Sequence, residues 1–583
     1  MINNWIINRL TDKQEDIKKK LAAELDVSMI ISELLVTRGI TDFDKAKSFF
    51  RPSLDEMHDP FLIKDMSLAV DRLNNAMRQN EKILVYGDYD VDGTTAVSLV
   101  YGFLRQYTSC LGYYIPDRYS EGYGVSAKGV EFAKENGYQL IIALDCGIKA
   151  NDRVEKASEY GIDFIICDHH TPDAELPKAV AVLDSQREDC HYPYQHLSGC
   201  GMGFKLMQAF AESNGIHVDK VLCFIDLVAV SIASDVVPVT GENRILTYHG
   251  LQKLNKNPCL GLQGIKEVSG LLGKDADISD VIFKIGPRIN ASGRMRTGNE
   301  VVELLTTANA DVARAKCANL DDYNTERKDI DKTTTDEAKQ VLYSSLKIDD
   351  KKGIVIYNPQ WNKGIVGIVA SRLTEEFHRP AVVLTNTPNS GIISGSARSV
   401  HGFDLYSAID NCRDLLTNFG GHIYAAGLSL LPENLELFKE KFEKYVEKTI
   451  LPEQLEPHIE VDTVITLADI TPKFIRILKQ FNPFGPGNTK PVFCSCKLVD
   501  FDAKSRLIGK DNTHLKLVLS DIDGNNCING VAFHSGEMRN YDMANILTHI
   551  RAGGRIDICY TVEENTFNGQ TDIQLMVKDI RIV

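Results

Sequence analysis

Between residues 83 and 93 the chain reads Ile83-Leu-Val-Tyr-Gly-Asp88-Tyr-Asp90-Val-Asp92-Gly93. An apolar run followed by Gly is typical of a buried strand, and residues 94–107 continue in a helical pattern. The stretch therefore predicts a strand that leads into a helix, with three alternate carboxylates at the junction. Three like charges this close repel one another unless cations lie among them. On this motif alone, a solvated acidic turn remains the alternative.

The same three acids could open an EF-hand loop, which begins D-x-D-x-D-G. Counting from Asp88, position 12 is Leu99 rather than the bidentate Glu. The element before the acids also has the pattern of a strand, whereas an EF-hand requires a helix there. The EF-hand is excluded on both counts.

Further acids follow other apolar segments. Residues 139–144 lead into Asp145-Cys-Gly, residues 164–167 lead into Asp168-His169-His170, and a helical stretch leads to Asp235. Strands alternating with helices predict a parallel sheet, whose carboxyl ends share one edge where ligands bind. We therefore expect these acids to converge.

The types of side chain in this set indicate which metal it would bind. Carboxylate oxygens with one or two imidazoles and no thiolate suit Mn²⁺ or Mg²⁺ better than zinc. The carboxylates are more numerous than one ion needs, which favours a two-metal site for phosphoryl hydrolysis.

Composition limits the partners of the whole chain. In 583 residues, 65 Lys and Arg stand against 80 Asp and Glu, a net charge of −15, and 43% of residues are hydrophobic. This is the mix of a multidomain globular protein and excludes wholesale disorder. It also excludes a generally basic nucleic-acid binder, because the overall field repels polyanions. A polyanion must be bound through metal ions or local basic patches.

Neither a membrane segment nor an export signal is expected. The most apolar stretch, residues 222–233, is short and contains Asp226. The N-terminus lacks a basic region followed by a long apolar one. The 13 cysteines include no CxxC pair, which favours reduced thiols in the cytoplasm over disulfides or structural zinc.

Pattern changes along the chain predict five segments. They are a helical N-terminal segment (1–60), a parallel α/β domain (61–245), a helical connector (246–345), a smaller α/β domain (346–450) and a small C-terminal β-barrel or sandwich (455–583).

The last segment is locally basic. Between Lys473 and Lys516 nine Lys or Arg stand against three acids, with Phe481, Phe484 and Phe493 interleaved. Basic grooves with aromatic platforms are how OB-folds bind single strands. A solvated face with core aromatics explains the same composition equally well.

The ordered acidic motifs resemble those of the DHH phosphoesterase superfamily. Phe419-Gly-Gly-His422 followed by Ala425-Ala-Gly427 is similar to the signature of the associated DHHA1 domain. These blocks leave open inorganic pyrophosphatases, nano-RNases, cyclic-dinucleotide phosphodiesterases and RecJ exonucleases.

Additional segments resemble the RecJ exonucleases specifically. They are Ile115-Pro-Asp-Arg118 with Glu121-Gly-Tyr-Gly124, Gly286 to Arg294, Trp361 to Arg372, Gly395-Ser396-Ala-Arg398 and Pro483 to Asn488. The resemblance implies an α/β multidomain fold: a parallel-sheet DHH domain, connecting helices, a smaller α/β DHHA1 domain and an OB-like β-barrel.

The resemblance also implies an activity and site residues. The expected activity is a processive 5′-to-3′ exonuclease on single-stranded DNA that releases 5′-mononucleotides in DNA repair and recombination. Two Mn²⁺ or Mg²⁺ would be held by Asp88, Asp90, Asp92, Asp145, His169 and Asp235, with Asp145 bridging. His170 would contact the scissile phosphate, and Asp168 would be a ligand or orient His169.

Other residues would bind the strand itself. Phosphates would be held by Arg118, Arg294, Ser396, Arg398 and His422, and the barrel would bind nucleic acid through Phe484, Lys490, Arg506 and Lys510. A single-strand-binding protein and a RecQ-type helicase are the partners that the resemblance implies.

Three positions depart from the family pattern. Asp184 lies where an Asn-Pro pair is common, Ser231 opens a segment that usually begins Gly-Thr, and Ala397 replaces a common glycine. None removes an expected metal ligand.

Two other functions stay open: a phosphodiesterase acting on short RNA or cyclic dinucleotides, and an inactive DNA-binding scaffold.

Overall fold

The computed structural model describes residues 4–344, 351–388, 390–534, 538, 541–567 and 570–583. The chain divides into two compact units. We call Pro52–Thr333 with Pro483–Asn488 the parallel-sheet unit. Met1–Arg51, Thr334–Asn482 and Thr489–Val583 form the barrel unit.

The parallel-sheet unit contains a sheet of five strands, all parallel. In spatial order the strands are Leu111–Tyr114, Ile83–Gly87, Leu140–Leu144, Asp163–Cys167 and Ala181–Leu183. The three central strands are almost fully buried, because helices cover both faces of such a sheet. Their near-continuous Ile, Leu and Val content is what made them recognisable in the sequence.

Helices pack around this sheet and extend well beyond it in sequence. They are Met66–Gln79, Val91–Leu104, Ala127–Glu135, Asn151–Glu159, Gly199–Ser213, Asp219–Leu222, Ile225–Ser234, Gly241–Lys256, Leu260–Val268, Ile278–Asp280, Gly286–Met295 and Asn299–Thr306. A single π-helical turn, Val281–Ile285, precedes Gly286.

The prediction of a separate helical connector over 246–345 is only partly correct. Leu254, Leu262, Ile265, Val301 and other apolar residues of this segment belong to the same hydrophobic core as the strands. The segment forms helices as expected, but their apolar faces are buried in the parallel-sheet unit. Within this segment, the long helix Ala310–Ser344 contains one of the points at which the chain passes from one unit to the other.

The barrel unit contains a second, mixed sheet of five strands. Its spatial order is Leu416–Gly421, Ala425–Leu430, Ile393–Arg398, Ala381–Asn386 and Ile354–Tyr357, with only the last two strands parallel. Helices Val366–Phe377, Leu405–Asp410 and Leu435–Thr449 complete this region. This matches the smaller α/β fold predicted for 346–450.

The C-terminal region closes into a barrel. A seven-stranded sheet runs in the order Thr463–Val464, Phe493–Asp500, Ile556–Phe567, Gln570–Ile582, Cys527–Ala532, His514–Ser520 and Arg506–Ile508. Phe493–Asp500 also pairs with His514–Ser520, which closes a ring of strands. Helices Pro472–Lys479 and Met543–Arg551 flank it.

The N-terminal segment differs from the all-helical prediction. It forms helices Asp12–Leu25, Met29–Thr37 and Phe43–Phe50, but it begins with a strand, Asn4–Ile7. That strand pairs in parallel with His458–Val461, more than four hundred residues away, which local sequence cannot reveal. Phe49 and Phe50 pack edge-on against Phe481, so this segment belongs to the barrel unit.

Among the described residues, no helix is both long and apolar enough to span a bilayer. All 13 cysteines lie in described positions and are free thiols.

Candidate metal centre and phosphate-binding residues

Asp88, Asp90 and Asp92 lie where strand Ile83–Gly87 meets helix Val91–Leu104. Asp90 caps the helix by accepting the Gly93 backbone N–H at 3.0 Å. A Cβ atom at Gly93 would lie 2.4 Å from the Asp88 carbonyl oxygen, so the tight junction requires glycine there. The short turn therefore holds the three carboxylates close together.

Asp88 is fully buried, and its two oxygens differ. Oδ1 accepts the Gly124 backbone N–H at 3.2 Å, whereas Oδ2 has no hydrogen-bond partner among the described residues. Burial and the nearby Asp90 raise the pKa of Asp88 well above its ordinary value. A buried carboxylate oxygen without a donor indicates a place for a cation.

Asp92 is held from a distant part of the chain. Its carboxylate accepts the backbone N–H groups of Gly199 and Cys200, each at 2.7 Å, at the start of helix Gly199–Ser213. The Ser231 hydroxyl donates to the same carboxylate at 2.7 Å. Helix N-terminal N–H groups stabilise negative charge, so Asp92 is oriented by this helix.

Asp145 follows strand Leu140–Leu144 and adopts a left-handed backbone conformation, with φ of 58°. Gly199 makes room for it, since a Cβ there would lie 2.5 Å from the Asp145 Cβ. Burial and the charges of Asp92, Asp90 and Asp235 raise the pKa of Asp145 well above its ordinary value. Such strain at a buried acid is common at functional sites.

His169 lies at the centre of the acidic cluster. Its Nε2 atom is 3.1 Å from Asp145 Oδ1, 3.6 Å from Asp235 Oδ2 and 3.7 Å from Asp92 Oδ2. Burial lowers its pKa, which favours the neutral imidazole that binds metals. The convergence of Asp92, Asp145, His169 and Asp235 from separate elements is the arrangement that the strand-end argument predicted.

Asp168 has a different geometry from that expected of a ligand. Its Oδ2 accepts the Ile148 N–H at 2.9 Å, and its Oδ1 lies 2.7 Å from His170 Nδ1. Oδ1 also accepts the backbone N–H groups of His169 and His170. Both oxygens are thus occupied, and the ring that Asp168 orients is that of His170, rather than of His169.

The contact between Asp168 and His170 shifts the pKa values of both side chains. Burial opposes the charge on Asp168, but the hydrogen bond and charge of His170 outweigh it and lower the pKa of Asp168 to about 2. Burial likewise opposes the charge on His170, but Asp168 raises the pKa of His170 to about 9. His170 Nε2 lies 3.0 Å from the Tyr123 hydroxyl, which donates to the Asp145 carbonyl at 3.1 Å.

The donor set fits hard divalent cations. Ligand atoms of Asp92, His169 and Asp235 lie within 4.8 Å of one another, as do those of Asp145, His169 and His170. The set contains oxygen and imidazole nitrogen but no thiolate, as suits Mn²⁺ and Mg²⁺. The unpartnered Asp88 oxygen and the raised carboxylate pKa values are consistent with that fit.

Two of the predicted phosphate-binding arginines lie beside this cluster. The Arg118 guanidinium lies 4.6 Å from the ring centre of Tyr89, the residue between Asp88 and Asp90. Burial raises the pKa of Tyr89, and the charge of Arg294, on helix Gly286–Met295, opposes that rise. The Arg294 carbonyl accepts the Tyr119 hydroxyl at 2.5 Å.

The other three predicted phosphate-binding residues lie in the barrel unit. The side chains of Ser396 and Arg398, on strand Ile393–Arg398, lie against Gly367. A Cβ atom added to Gly367 would lie 3.2 Å from Ser396 Oγ and 3.5 Å from an Arg398 nitrogen. The neighbouring strand places Gly427 opposite Ser396. His422 is exposed in the hairpin between the strands that end at Gly421 and begin at Ala425.

The barrel predictions have mixed outcomes. Arg506 and Lys510 are exposed, and Arg506 pairs across the strands with Lys516. Lys490 forms an ion pair with Glu563 at 2.7 Å. Phe484 does not belong to the barrel surface: it is half-buried in the 483–488 turn, which packs on Val239 and Ile278 of the parallel-sheet unit.

The remaining aromatics of that stretch are core residues. Phe481 and Phe493 are fully buried, as the alternative interpretation of the composition held.

The Pro483 to Asn488 turn is rich in Gly and Pro, and its glycines allow close packing on Val239 and Thr240. A turn that leaves its own domain cannot be recognised from local charge.

The three positions that depart from the family pattern, Asp184, Ser231 and Ala397, are all buried. Buried Asp184 accepts the Gln186 N–H at 2.7 Å, and burial raises the pKa of its carboxyl to about 7. Ser231 supports Asp92, and Ala397 is buried in strand Ile393–Arg398.

The sequence argument missed Tyr123 and Ser231 as supports of the centre, and it missed the role of Gly199. The run Ser198-Gly-Cys-Gly201 was a usable signal, because small residues after Ser permit a tight helix start. No local signal linked Ser231 to Asp92, since 139 residues separate them.

Three family models match separate parts of the chain. The DHH family N-terminal domain matches residues 82–232, the DHHA1 domain matches 340–448, and the RecJ OB domain matches 461–579. The acidic cluster lies in or directly after the first match. These matches define a DHH-type phosphoesterase with a C-terminal OB domain.

Similarity over the full chain identifies the family. The chain is 36% identical to the single-stranded-DNA-specific exonuclease RecJ of Bacillus subtilis, over 99% of this chain and 71% of that protein. It is 30% identical to RecJ of Escherichia coli, over 98% and 99% respectively. The chain belongs to the RecJ family.

Solved structures agree with this assignment. RecJ from Thermus thermophilus in complex with Mn²⁺ superposes with a TM-score of 0.83 at 25% identity, covering 99% of this chain and 79% of that one. An exonuclease RecJ bound to manganese matches with a TM-score of 0.58 at 31% identity, covering 67% of this chain and 96% of that one.

Proposed function

We propose that this protein is a single-stranded-DNA-specific exonuclease that removes 5′-mononucleotides from the 5′ end with two divalent cations, Mn²⁺ or Mg²⁺. The observation that carries the proposal is the convergence of Asp92, Asp145 and Asp235 on His169, whose Nε2 lies within 3.7 Å of an oxygen of each acid. Asp88 and Asp90 lie at the same strand–helix junction as Asp92. Membership of the RecJ family supports the substrate and a role in DNA repair and recombination.

The carboxylates and His169 would hold the cations, with Asp145 between them. When bound, the cations supply a water of lowered pKa and neutralise charge on the phosphoryl oxygens. Gly199, Cys200 and Ser231 fix the Asp92 carboxylate by hydrogen bonds. The site is thereby organised before substrate arrives, which is how electrostatic catalysis avoids reorganisation.

His170 would contact the scissile phosphate. Asp168 accepts the Nδ1 proton and keeps the ring protonated at neutral pH, so that Nε2–H is a charged donor. In the free protein that donor points at the Tyr123 hydroxyl, which itself donates to the Asp145 carbonyl. A phosphate oxygen would take the place of Tyr123 as acceptor.

Further side chains would bind the strand. Arg118 and Arg294 flank the acidic cluster, and guanidinium groups match phosphate oxygens in geometry. Ser396, Arg398 and His422 would bind phosphates on the barrel unit. Burial lowers the pKa of Arg398, and its Nη1 donates to the Ala397 carbonyl at 2.8 Å.

The barrel would bind single-stranded DNA through Arg506 and Lys510, with Lys490 contributing once released from Glu563. Phe484 has no such role in this proposal. A cytoplasmic location, and partnership with a single-strand-binding protein and a RecQ-type helicase, complete the proposal.

End-labelled DNA tests the proposal. The substrates are single-stranded 50-mers labelled at the 5′ or the 3′ end, with duplex controls, in Mn²⁺, Mg²⁺ or EDTA. The variant is Asp145→Asn, because asparagine tolerates the left-handed backbone at this position. The matched control is Asp26→Asn, since Asp26 also has a positive φ, of 51°, but lies exposed at a helix end.

We expect immediate release of labelled mononucleotide from the 5′-labelled strand by the wild type and by Asp26→Asn. EDTA and Asp145→Asn should abolish it. Release from the 3′ end first would contradict the polarity, and intact long DNA in every metal would contradict the exonuclease. Short RNA and cyclic dinucleotides are the substrates to test after that second outcome.

A further inference from the structure

A second group of metal-ligating side chains lies in the barrel unit, in no part of the site described above. His401, His458 and Glu460 each offer one ligand atom, and these atoms all lie within 4.8 Å of one another. The three residues come from a loop and from a strand that are far apart in sequence.

His458 and Glu460 are placed by the strand His458–Val461. Alternate residues of a strand point to the same face, so these two side chains lie side by side. The residues between and after them, Ile459 and Val461, are buried on the opposite face. Parallel pairing with Asn4–Ile7 fixes this strand, so the two ligands rest on a held backbone.

His401 is placed by the loop after strand Ile393–Arg398. The Ser399 N–H donates to the Tyr424 carbonyl at 3.0 Å, and the Ser399 hydroxyl donates to the Phe403 carbonyl at 2.8 Å. Gly402, at a φ of 77°, accepts from the Gln454 side chain at 2.6 Å. The loop conformation is therefore set without His401 itself.

The His401 ring is also oriented. It lies nearly parallel to the Tyr424 ring, with an interplanar angle of 16°, and its centre is 5.4 Å from that of His458. This orientation brings His401 next to His458.

We propose that His401, His458 and Glu460 form a site for a borderline transition metal of the zinc class. Two imidazoles and one carboxylate match the ligands that bind Zn²⁺. Ligands of a tetrahedral zinc lie about 3.4 Å apart, given metal–ligand distances of about 2.0–2.1 Å, which small side-chain rotations reach from this arrangement. Water would take the fourth position.

Such an ion would link two segments of the barrel unit. It would join the loop that follows the strand carrying Ser396 and Arg398 to the strand His458–Val461. The carboxylate-rich centre of the parallel-sheet unit prefers Mn²⁺ or Mg²⁺, so the two sites differ in the metal that they select. The inference is independent of the proposed exonuclease activity.

The test uses the full chain, freed of any histidine tag and saturated with Mn²⁺ to fill the acidic centre. Zn²⁺ is then added in equilibrium dialysis and metal content is measured. The variants are His401→Gln, His458→Gln and Glu460→Gln. His217→Gln is the matched control, because His217 is an exposed histidine 3.2 Å from Asp219 but has no third ligand.

We expect the wild type and His217→Gln to bind one additional Zn²⁺ per chain. Each of the three variants should bind it at least about tenfold more weakly, the order of effect seen when the ligand environment of a metal is damaged. Zn²⁺ should raise the thermal midpoint of the wild type and of the control but not of the variants.

Midpoints measured in EDTA show whether the variants fold normally, since a structural defect would lower them without metal. The proposal is overturned if Mn²⁺-saturated wild type binds no additional Zn²⁺. It is equally overturned if all three variants retain the Zn²⁺ of the wild type, because the ion would then lie elsewhere.

Discussion

The acidic centre of the parallel-sheet unit and the basic surface of the barrel use charge in opposite ways. Asp88, Asp92 and Asp145 are almost completely excluded from solvent, and this burial, together with the charge of the nearby Asp90, raises their pKa values. Arg506 and Lys510 are exposed. A buried charge must be satisfied by a specific partner, whereas an exposed charge is solvated and interchangeable.

This difference has consequences for function and for stability. We expect the acidic centre to tolerate no substitution, because each carboxylate would contribute both to cation binding and to the balance of buried charge. The barrel would gain affinity from many small, additive phosphate attractions. Substitutions should therefore have large effects at the acidic centre and small ones on the barrel, and the following predictions test that contrast.

Asp88→Asn should give the largest effect. The substitution removes the negative charge of the carboxylate whose Oδ2 is unpartnered, which should lower exonuclease activity by about 10²–10³-fold or more. It should also weaken Mn²⁺ binding. At 100 times its Kd, Mn²⁺ should stabilise the wild type by about 2.7 kcal/mol, and a hundredfold weaker variant should gain only about 0.4 kcal/mol. Chemical denaturation with and without Mn²⁺ measures this.

The control for that experiment is Asp502→Asn, which removes an exposed carboxylate of the barrel unit that is paired with Lys504. Both activity and stabilisation by Mn²⁺ should be those of the wild type. Equal losses of activity and of Mn²⁺ stabilisation in the two variants would contradict the expected difference between buried and exposed acids.

Asp168→Asn should come next, with kcat lowered by about 10²-fold, the lower end of the range for general acid–base groups. An amide cannot keep His170 charged, so the loss should match that of His170→Gln. The double variant should be little worse than either single one, because the two residues act as a pair. If the losses in kcat of the two single variants added up in the double variant, the pairing would be contradicted. An unchanged affinity of Asp168→Asn for Mn²⁺ would show that Asp168 is not a metal ligand.

Ser231→Ala should have an intermediate effect. It removes a buried hydroxyl donor from Asp92, which should lower the free energy of unfolding by about 1–3 kcal/mol. Ser407→Ala is the control, since its hydroxyl donates to the exposed Asp404 at 2.6 Å, and we expect a loss of less than about 0.5 kcal/mol. Urea denaturation compares the two, and equal losses would contradict the prediction.

Arg506→Ala and Lys510→Ala should have the smallest effects. Each should weaken binding of a labelled oligonucleotide several-fold and reduce the salt dependence by about 0.7 in the log–log slope. Lys490→Ala should do less, because Lys490 is paired with Glu563. Fluorescence anisotropy in EDTA, over a range of salt concentrations, measures binding without cleavage. A loss at Lys490 equal to that at Arg506 would contradict the ranking.

Much of the acidic centre followed from the sequence, because its acids stand directly after apolar strands. A parallel sheet brings the carboxyl ends of such strands to one edge, whatever the details of packing. Asp88, Asp145 and His169 converge for that reason. The alternation of strands and helices likewise predicted both α/β sheets.

Other features depend on side-chain directions or on contacts between distant segments. The pairing of Asp168 with His170 rather than with the His169 ring follows from side-chain directions within three consecutive residues. The packing of the Phe484 turn outside the barrel, and the pairing of Asn4–Ile7 with His458–Val461, arise from long-range contacts.

The sequence by itself determined the class of fold, the set of acids and the chemistry that they can support. These depend on residue type and on the period of hydrophobic residues, which are local properties. Only the tertiary structure decided which oxygens are occupied, that Ser231 and Gly199 support the centre, and that His401 meets His458 and Glu460. Those contacts join positions far apart in the chain, and only the packing of the folded protein specifies them.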